Sequence, residues 1–232
     1  MLKIRETTEI VTFRTPRFPD QRPFQGIQPG ILAGLEAILT AHRGIPAGSS
    51  ISLDEAFPDV SKKLFVVAGG VIEIVAPGKG PVRYCLARLE TGDLEDLYFF
   101  QDVKGLEVRA VRSATLLVFD RDVFYRTVSH DPDASRWVMQ WSGLGRTRAQ
   151  LHAYRLATMS AEEAVMYDLR LIAVRSETPP HAGELVARTT QNAIAERIMR
   201  RRETVARSVT KLVASGRLVH SRGTTYHFTA TS

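Results

Sequence analysis

The chain has 232 residues, of which 44% are hydrophobic and 24% charged, with a net charge of +6 at pH 7. This composition predicts one large or two modest folded domains and excludes a wholly disordered chain. No run approaches the roughly 18 apolar residues of a membrane span, and the N-terminus MLKIRETTEI lacks the apolar core of a signal peptide, so we expect a cytoplasmic protein without a membrane partner.

Cysteine and histidine usage excludes most metal chemistry. The single cysteine, Cys85, rules out an internal disulfide and a cysteine-ligated zinc or iron–sulfur site within one chain. The histidines are scattered, with no HxH, HxxxH or HExxH spacing. Haem bound through His130 or His152 stays open, but a lone histidine on a helix is more often structural. We therefore expect no metal and no cofactor.

The positive charge is confined to the C-terminal part of the chain. Residues 181–232 contain nine basic and three acidic residues, so the preceding 180 residues have no net charge. Such an asymmetry is typical of a nucleic-acid-binding module attached to a neutral domain.

The N-terminal half predicts an arm, a short helix and a series of strands. Residues 1–28 are broken by prolines and read as an arm. The segment GILAGLEAILTAHRG has helical spacing and a glycine at its end, which predicts one short helix. From Ile45 to Phe124, β-branched runs alternate with turn signals such as PGKG, which predicts a β-sandwich or jelly roll. The run RAVRSATLLVFDRDVF predicts a strand followed by the start of a helix.

A long helix is predicted from Ala134 to Ser160, a segment without proline. Trp137, Trp141 and Leu144 begin an apolar stripe along it that continues to Leu151. A narrow stripe on a long helix packs against another element. Either a second copy of the chain or the chain's own β-domain would serve, and the pattern does not decide between them.

The C-terminal segment predicts a capped helix, then two short helices, and finally a hairpin. Ser160 and Glu163 form a capping box before a helix, and the stretch RSETPPHAGE predicts a loop. Thr190 is placed to cap a helix that runs through Ile198, and a second helix runs to Val213 after a turn. The final GRLVHSRGTTYHF predicts two short strands.

The second of the two short helices, which runs to Val213, has an exposed face suited to reading DNA. A short helix, a tight turn and such a helix form a helix-turn-helix, whose second helix enters the major groove. Arginine can donate two hydrogen bonds to guanine, and glutamate can accept from cytosine, so Arg202, Glu203 and Arg207 are the candidate base readers. The candidate phosphate contacts at the edges of this face are Arg200, Arg201 and Lys211. The alternative is a solvated helix in which Glu203 pairs with Arg207.

The segment TTQNAIAERIMRRRETVARSVTKLVASGRLV resembles the winged helix-turn-helix of the Crp-Fnr family of bacterial transcription regulators. Within it, RETVAR matches the recognition-helix motif of the cyclic AMP receptor protein branch. Upstream, KLFVVAGGVIEIV resembles the family's β-roll hairpin, LARLETGD its strand leading into the effector region, and HDPDASRWVMQ the start of its long dimer helix. The resemblance covers roughly residues 30–228.

This resemblance implies specific roles. Arg202, Glu203 and Arg207 would read a TGTGA-like half-site, and Thr190 would cap the first helix beside a phosphate. A twofold dimer through the long helix would bind a pseudo-palindrome with half-sites one helical turn, about 34 Å, apart. The turn departs from the family pattern because Met199 replaces a small residue and Arg201 replaces a capping serine.

The effector region departs further from the cyclic-nucleotide-binding members. The segment GDLEDLYFFQDVKGLEVRA has no glycine-glutamate pair, and Lys104-Gly105 stands where arginine-serine is expected. Ala149 and Gln150, at the positions that resemble the adenine contacts, lack hydroxyl groups. The acids of this segment would repel an anion; they are Glu95, Asp96 and Asp102. We therefore expect no tight binding of cyclic AMP.

A weaker hypothesis gives Arg146 and Arg148, in the polar middle of the long helix, the role of binding an anionic effector, although both can equally be solvated. A jelly-roll enzyme with a basic accessory domain is the alternative from another class. It would need a cupin-type histidine and carboxylate cluster, and residues 45–124 contain no histidine. In a third alternative, the protein has the same fold and is a regulator that binds no small-molecule ligand. We expect no enzymatic activity.

The predicted fold class is α+β: an N-terminal β-roll like the cyclic-nucleotide-binding jelly roll, a long dimerisation helix and a C-terminal winged helix-turn-helix. The expected boundaries are 1–28 for the arm, 29–125 for the sensor domain, 126–159 for the dimerisation helix and 160–232 for the DNA-binding domain. The expected partners are double-stranded DNA, a second copy of the chain and RNA polymerase, with an effector that the sequence does not identify.

Overall fold

The structure, a computed structural model, describes residues 29–57, 59–78, 82–175, 185–220 and 224–228. The predicted N-terminal arm, the loop at 176–184 and the hairpin turn at 221–223 lie outside these residues. The described part divides into two compact units. One contains the residues up to Glu73 together with Arg88–Gly145. The other contains Ile74–Ala87 together with the residues from Arg146 onward. The domain boundaries expected from the sequence stay predictions.

The helices are α1 (Pro29–Ala37), α2 (Leu53–Ala56), α3 (Arg121–Ser129), α4 (Pro132–Thr158), α5 (Ala161–Ile172), α6 (Gln191–Arg197) and α7 (Arg202–Ala214), with 3₁₀ turns at Val60–Lys62 and Leu97–Phe100. The strands are β1 (Leu39–Ile45), β2 (Ser50–Ser52), β3 (Lys63–Pro77), β4 (Arg83–Glu90), β5 (Leu94–Asp96), β6 (Glu107–Asp120), β7 (Val174–Arg175), β8 (Leu185–Arg188), β9 (Leu218–His220) and β10 (Thr225–Phe228).

The N-terminal sheet has the strand order β1-β6-β3-β4, with β2 paired to β6 and β5 paired to β3. The central strands β3 and β6 are the longest, and most residues of β3 and half of those of β6 are buried. Asp120 ends β6 and caps α3, because its side chain accepts a hydrogen bond from the Val123 amide. The predicted strand followed by a helix start is therefore confirmed, as is the α+β fold class.

The helix predicted at the start of this unit is shorter than expected. α1 ends at Ala37, and Leu39–Ile45 form a strand that pairs antiparallel with β6, from Leu39 opposite Phe119 to Ile45 opposite Ala114. The helical spacing of Ile38 and Leu39 misled the sequence-based assignment. Pairing with β6 satisfies the backbone groups of this stretch, and that contact with a distant strand outweighs local spacing.

The helices of the N-terminal unit cover one face of the sheet. Leu64, Val66 and Leu117 of β3 and β6 pack with Leu35 and Phe124 of the helices. All five side chains are fully buried. Alternate residues of a strand point to the same face, so this spacing places α1 and α3 over one side of the sheet.

Gly70 permits a close approach between β3 and β6. Its φ of +89° lies in the region that favours glycine, and an added Cβ would lie 2.2 Å from the Ser113 carbonyl oxygen. The preceding Gly69 has open space around the same position. The two adjacent glycines of AGGVIEIV therefore have different roles, and only Gly70 is required by the backbone geometry.

The C-terminal unit has its own core. A sheet of order β7-β8-β10-β9 is present together with α5, α6 and α7. The buried side chains from these elements form one cluster, which includes Val165, Met166, Leu169, Ile194, Val205, Val209, Leu212 and Tyr226. The predicted hairpin strands are confirmed, because β10 pairs antiparallel with β9, with His227 opposite Val219.

Candidate nucleic-acid interface

α5 begins with the capping box expected from the sequence. The Ser160 hydroxyl accepts a hydrogen bond from the Glu163 amide at 3.3 Å, and the Glu163 carboxylate accepts one from the Ser160 amide at 2.8 Å. These bonds satisfy two backbone donors that a helix N-terminus otherwise leaves open. The hydrogen bonds with Ser160 also lower the pKa of Glu163. α5 is thus fixed as the support on which the next two helices pack.

α6 and α7 form a helix-turn-helix. Thr190 caps α6, as predicted, because its Oγ1 accepts a hydrogen bond from the Ala193 amide at 3.1 Å. The chain then reverses through Met199, whose φ is +53°, and the Arg200 amide donates to the Ala195 carbonyl at 3.0 Å. α7 starts at Arg202 directly after this turn.

The turn uses a residue that rarely takes its backbone conformation. A positive φ at a side chain other than glycine, asparagine or aspartate costs roughly 1–2 kcal/mol. Met199 is also half exposed, so its side chain adds little packing in return. In the resembled motif a small residue stands at the position of Met199, and among small residues only glycine, which has no Cβ, avoids this cost.

α7 divides into a buried face and an exposed face. Val205, Val209 and Leu212 lie in the core of the C-terminal unit. The exposed positions include all three predicted base readers, Arg202, Glu203 and Arg207. Within the described part of the chain, no ion pair joins Glu203 to Arg207, which the solvated-helix alternative requires. Both charged groups are open to solvent.

The predicted phosphate contacts have different surroundings. Arg201 is exposed at the N-cap of α7 and makes no capping hydrogen bond. Arg200 donates from Nη2 to the Leu156 carbonyl at 3.3 Å, which turns its side chain toward α4. Lys211 Nζ lies 2.9 Å from Glu162 Oε1 of α5, and this hydrogen bond lowers the pKa of Glu162. Of the three side chains, Arg201 therefore has the fewest interactions with the rest of the described chain.

One arginine of the basic C-terminal segment is not at the surface. Arg197 is 6% exposed and binds Asp168, which is 1% exposed, through Nε to Oδ1 at 2.7 Å and Nη2 to Oδ2 at 2.8 Å. Its Nη2 also donates to Thr189 Oγ1 at 2.9 Å. A count of basic residues places Arg197 with the positive surface, whereas its charge is neutralised inside the core.

A polar cleft of about 320 Å³ lies where α6, α7 and the hairpin meet, lined by Thr190, Gln191, Asn192, Arg202, Thr224 and Tyr226. It brings the predicted residues Thr190 and Arg202 together. Gln191, Asn192 and Thr224 were not identified from the sequence. For Gln191 and Asn192, the signal in the sequence was a run of polar side chains directly after the capping threonine. Thr224 gave no local signal, because it lies next to β10, which is distant along the chain.

Solved structures with the same architecture are transcription regulators. CLP of Xanthomonas campestris, a c-di-GMP-responsive global regulator, matches with a TM-score of 0.66 and 20% identity over 87% of this chain and 99% of its own. A CRP-family regulator from Thermus thermophilus matches with a TM-score of 0.63 and 14% identity, over 80% of this chain and 91% of its own. This chain has the CRP/FNR fold.

A second regulator from Thermus thermophilus, of the CRP/FNR family, gives a TM-score of 0.63 and 18% identity over 82% of this chain and 93% of its own. No protein-family model matches the sequence, and no curated protein matches it. The CRP/FNR fold is therefore established by structural likeness at low sequence identity, and the chemistry of this chain depends on its own residues.

In this CRP/FNR fold, the acids expected to repel an anion are largely engaged. The single N–H of Arg121 Nε donates a bifurcated hydrogen bond to the two carboxylate oxygens of Asp96, at 3.1 and 3.0 Å, and the Tyr125 hydroxyl donates to Asp96 at 3.0 Å. Burial and the neighbouring Asp96 and Asp93 raise the pKa of Glu95 to about 7. Repulsion by Glu95 and Asp96 is thus weaker than the sequence suggested, because one charge is compensated and the other is half protonated near neutral pH.

Lys104 lines a cavity of about 370 Å³ in the N-terminal unit, with the acids Asp54, Asp59 and Asp102 around it. The adjacent Gly105 amide donates to Asp54 Oδ2 at 3.3 Å. The backbone amide of Gly105, which stands where the serine of the resembled motif is expected, is therefore bound to a carboxylate of the chain itself.

The predicted effector residues Arg146 and Arg148 lie at the surface of α4, next to the two positions that resemble the adenine contacts. Arg146, Arg148, Ala149 and Gln150 are all exposed. In the described segments, no group of three or more histidine, cysteine, aspartate or glutamate side chains is arranged to hold a metal ion. No helix that the structure describes is both long and apolar enough to cross a membrane.

Proposed function

We propose that this protein is a sequence-specific, double-stranded-DNA-binding transcription regulator. The observation that carries the proposal is the division of α7, in which Arg202, Glu203 and Arg207 are exposed while Val205 and Val209 are buried. A recognition helix needs this division, because one face must anchor it and the other must be free to enter the major groove. The regulatory role of the solved relatives supports the same conclusion.

In this proposal three of the exposed side chains of α7 read base edges. Arg202 and Arg207 donate to guanine O6 and N7, and Glu203 accepts from the cytosine amino group. The proposed half-site is TGTGA-like. Because Glu203 has no intramolecular ion pair in the described chain, its carboxylate is available to a base, and it also disfavours a groove edge that presents only acceptors.

Phosphate contacts surround this reading face. The proposed contacts are Thr190, Arg200, Arg201 and Lys211, and the polar cleft beside Thr190 adds Gln191, Asn192 and Thr224. Lys211 is bound to Glu162, but both groups lie at the surface, where a phosphate can replace the carboxylate at little cost. Arg200 would have to release the Leu156 carbonyl, so we rank it below Arg201.

We infer that the protein acts as a homodimer through α4. Met139, Leu144, Leu151 and Tyr154 are large apolar side chains of this helix, each 49–69% exposed. Leu144 and Leu151 are seven residues apart and lie on one face with Trp137 and Trp141. A helix that leaves such a stripe in water is stabilised when a second copy covers it. A twofold dimer would bind a pseudo-palindrome with half-sites about 34 Å apart.

The proposed regulator does not respond to cyclic AMP. Lys104 and Gly105 replace the arginine-serine pair, the Gly105 amide is bound to Asp54, and Ala149 and Gln150 offer no hydroxyl. RNA polymerase is the proposed protein partner, and the cytoplasm, where chromosomal DNA is accessible, is the proposed compartment. Calorimetry that shows micromolar binding of cyclic AMP would contradict the proposal that the regulator does not respond to this nucleotide.

The decisive experiment is selection of bound DNA from a random pool with the purified full chain. We expect enrichment of a pseudo-palindrome with TGTGA-like half-sites one helical turn apart. The selection is repeated with a metabolite mixture to look for an effector, and sedimentation measures whether the bound species is a dimer. Failure to enrich any palindrome under either condition would remove the main proposal.

A further inference from the structure

A buried carboxylate lies in the central strand of the N-terminal sheet. Glu73 of β3 is 1% exposed, and its neighbours Ile72 and Ile74 are fully buried. An ionised carboxylate is costly to remove from water unless cationic and hydrogen-bonding partners surround it. Aliphatic residues on both sides do not provide them, so the partners must come from adjacent strands.

Two arginines reach Glu73 from the strands on either side of β3. Arg109 of β6 donates to Glu73 Oε2 from Nε at 3.1 Å and from Nη2 at 2.7 Å. Arg88 of β4 places Nη1 3.7 Å from Oε1, within ion-pair distance but too long for a hydrogen bond. The two arginine side chains are 24% and 20% exposed, so most of the cluster is shielded from solvent.

Arg88 retains unused hydrogen-bonding capacity. Its Nη1 is buried and has no hydrogen-bond partner among the described residues. A second ion pair, from Arg88 Nε to Glu90 Oε1, is 3.8 Å long, and the Glu90 side chain is largely exposed. Such a pair contributes little. Two guanidinium groups thus lie against one buried carboxylate, and Arg88 keeps a buried N–H donor at the same place.

We propose that Arg88 and Arg109 form an anion-binding site that the chain fills with its own Glu73 carboxylate. Paired guanidinium groups recognise planar or tetrahedral oxyanions, which here means the carboxylate or phosphate group of a small molecule. Glu73 accepts hydrogen bonds from Nε and Nη2 of Arg109, so an external oxyanion must compete with a tethered one. Tethering gives Glu73 a large effective concentration, and the site is therefore closed to free anions.

This proposal deepens the proposed function. A regulator whose β-roll carries its own anion does not depend on an external oxyanion at these arginines. Its DNA binding then follows the amount of protein or a signal received elsewhere. The regulatory meaning rests on the proposed function, whereas the occupation of the site by Glu73 does not, and the two are tested separately.

The test removes the internal anion and offers inorganic phosphate. The full-length chain and its Glu73→Gln variant are unfolded thermally in Tris buffer, with phosphate exchanged for chloride at constant ionic strength. We expect Glu73→Gln to unfold at a lower temperature than the unsubstituted chain, and saturating phosphate to raise its midpoint by about 3 °C or more. Phosphate should leave the midpoint of the unsubstituted chain unchanged.

Two double variants identify the arginine responsible. Glu73→Gln with Arg109→Gln should lose the response to phosphate, because the stronger guanidinium is gone. Glu73→Gln with Arg112→Gln is the matched control, since Arg112 is an exposed arginine of the same strand, and it should respond as Glu73→Gln does. Equal responses in the two double variants would overturn the proposal.

The remaining outcomes are also decisive. A phosphate response in the unsubstituted chain equal to that of Glu73→Gln would show that Glu73 does not close the site. No response in Glu73→Gln and none in Glu73→Ala, which removes the side chain and leaves room for a small oxyanion, would show that the arginines do not form one. If Glu73→Gln does not fold, Glu73→Asp, which withdraws the carboxylate by one methylene, is measured in the same way. DNA selection with the unsubstituted chain is independent, so its failure leaves the phosphate result intact.

Discussion

Arg197 of α6 and Asp168 of α5 form a buried, two-bonded ion pair, with N–O distances of 2.7 and 2.8 Å. Thr189 Oγ1, at the end of β8, accepts a third hydrogen bond from the same guanidinium. The pair therefore fixes the first helix of the helix-turn-helix both to the support helix and to the sheet. Through α6 it positions the exposed face of α7, on which the proposed base readers lie.

Asp168→Ala should be strongly destabilising, because it leaves a buried guanidinium without its counter-charge. We expect the free energy of unfolding to fall by about 3–5 kcal/mol, measured by urea denaturation. Replacing both partners, Asp168→Leu with Arg197→Met, should recover most of this loss. Lys211→Gln is the control for a surface pair and should leave the midpoint nearly unchanged. A small effect of Asp168→Ala would contradict the buried-pair assignment.

Gly70→Ala should also be destabilising, for a backbone reason. The substitution places a Cβ 2.2 Å from the Ser113 carbonyl oxygen at a residue whose φ is +89°. We expect a loss of at least about 2 kcal/mol, from the strained φ and the separation of β3 from β6. The adjacent Gly69→Ala, with no atom within 4 Å of the new Cβ, is the matched control. Equal losses at the two glycines would show that strand spacing is not the cause.

Local signals predicted the C-terminal unit well. The capping box at Ser160, the cap at Thr190 and the amphipathic spacing of α7 depend on residues within one or two helical turns, and the structure contains all three. Where a contact spans a long stretch of chain, the sequence was less informative. The strand at Leu39–Ile45 is set by β6, more than 60 residues away, so its helical spacing was misleading.

Charge was the property least well predicted. A count of basic residues treats every arginine as surface charge, yet Arg197 is neutralised in the core and Arg88 and Arg109 surround Glu73. Each of these pairs joins residues at least 15 positions apart. Their partners become apparent only when the strands and helices are placed side by side.

Glu95 should make stability depend on pH. Burial, with Asp96 and Asp93 nearby, raises its folded-state pKa from 4.5 to about 7, while Arg121 and Tyr125 bind Asp96 beside it. The folded state therefore holds a proton that the unfolded state releases above pH 4.5. This stabilisation is complete below that pH and is lost as the pH rises through about 7, a change of order 3 kcal/mol.

Glu95→Gln keeps the group neutral and should flatten this dependence. Relative to the unsubstituted chain, the variant should gain stability at pH 8 and show little difference at pH 4.5, as measured by urea unfolding at both pH values. Glu55→Gln, at an exposed glutamate of α2, is the control and should leave the pH profile unchanged. A profile of Glu95→Gln that parallels that of the unsubstituted chain would show that another group titrates.

Arg207→Ala tests the reading face directly. Arg207 is exposed on α7 and joins no ion pair in the described chain, so its removal should leave folding intact. Each bidentate contact to guanine is worth about 1–3 kcal/mol of discrimination. A dimer loses this in both half-sites. We expect the variant to bind the selected operator more weakly and to lose its guanine preference at one symmetric pair of positions.

Two further variants separate reading from simple charge. Arg201→Ala, at a proposed phosphate contact, should weaken binding to all sequences equally and reduce the slope of affinity against salt by about one contact per half-site. Arg170→Ala removes the same charge from an exposed position of α5 and should change neither property. Arg207→Ala could instead behave like Arg201→Ala, with the same loss of affinity for every sequence and an unchanged base preference. Arg207 would then contact DNA without discriminating between bases. The role of base reader would then fall to Arg202 and Glu203, because they are the remaining charged side chains in the first turn of the exposed face.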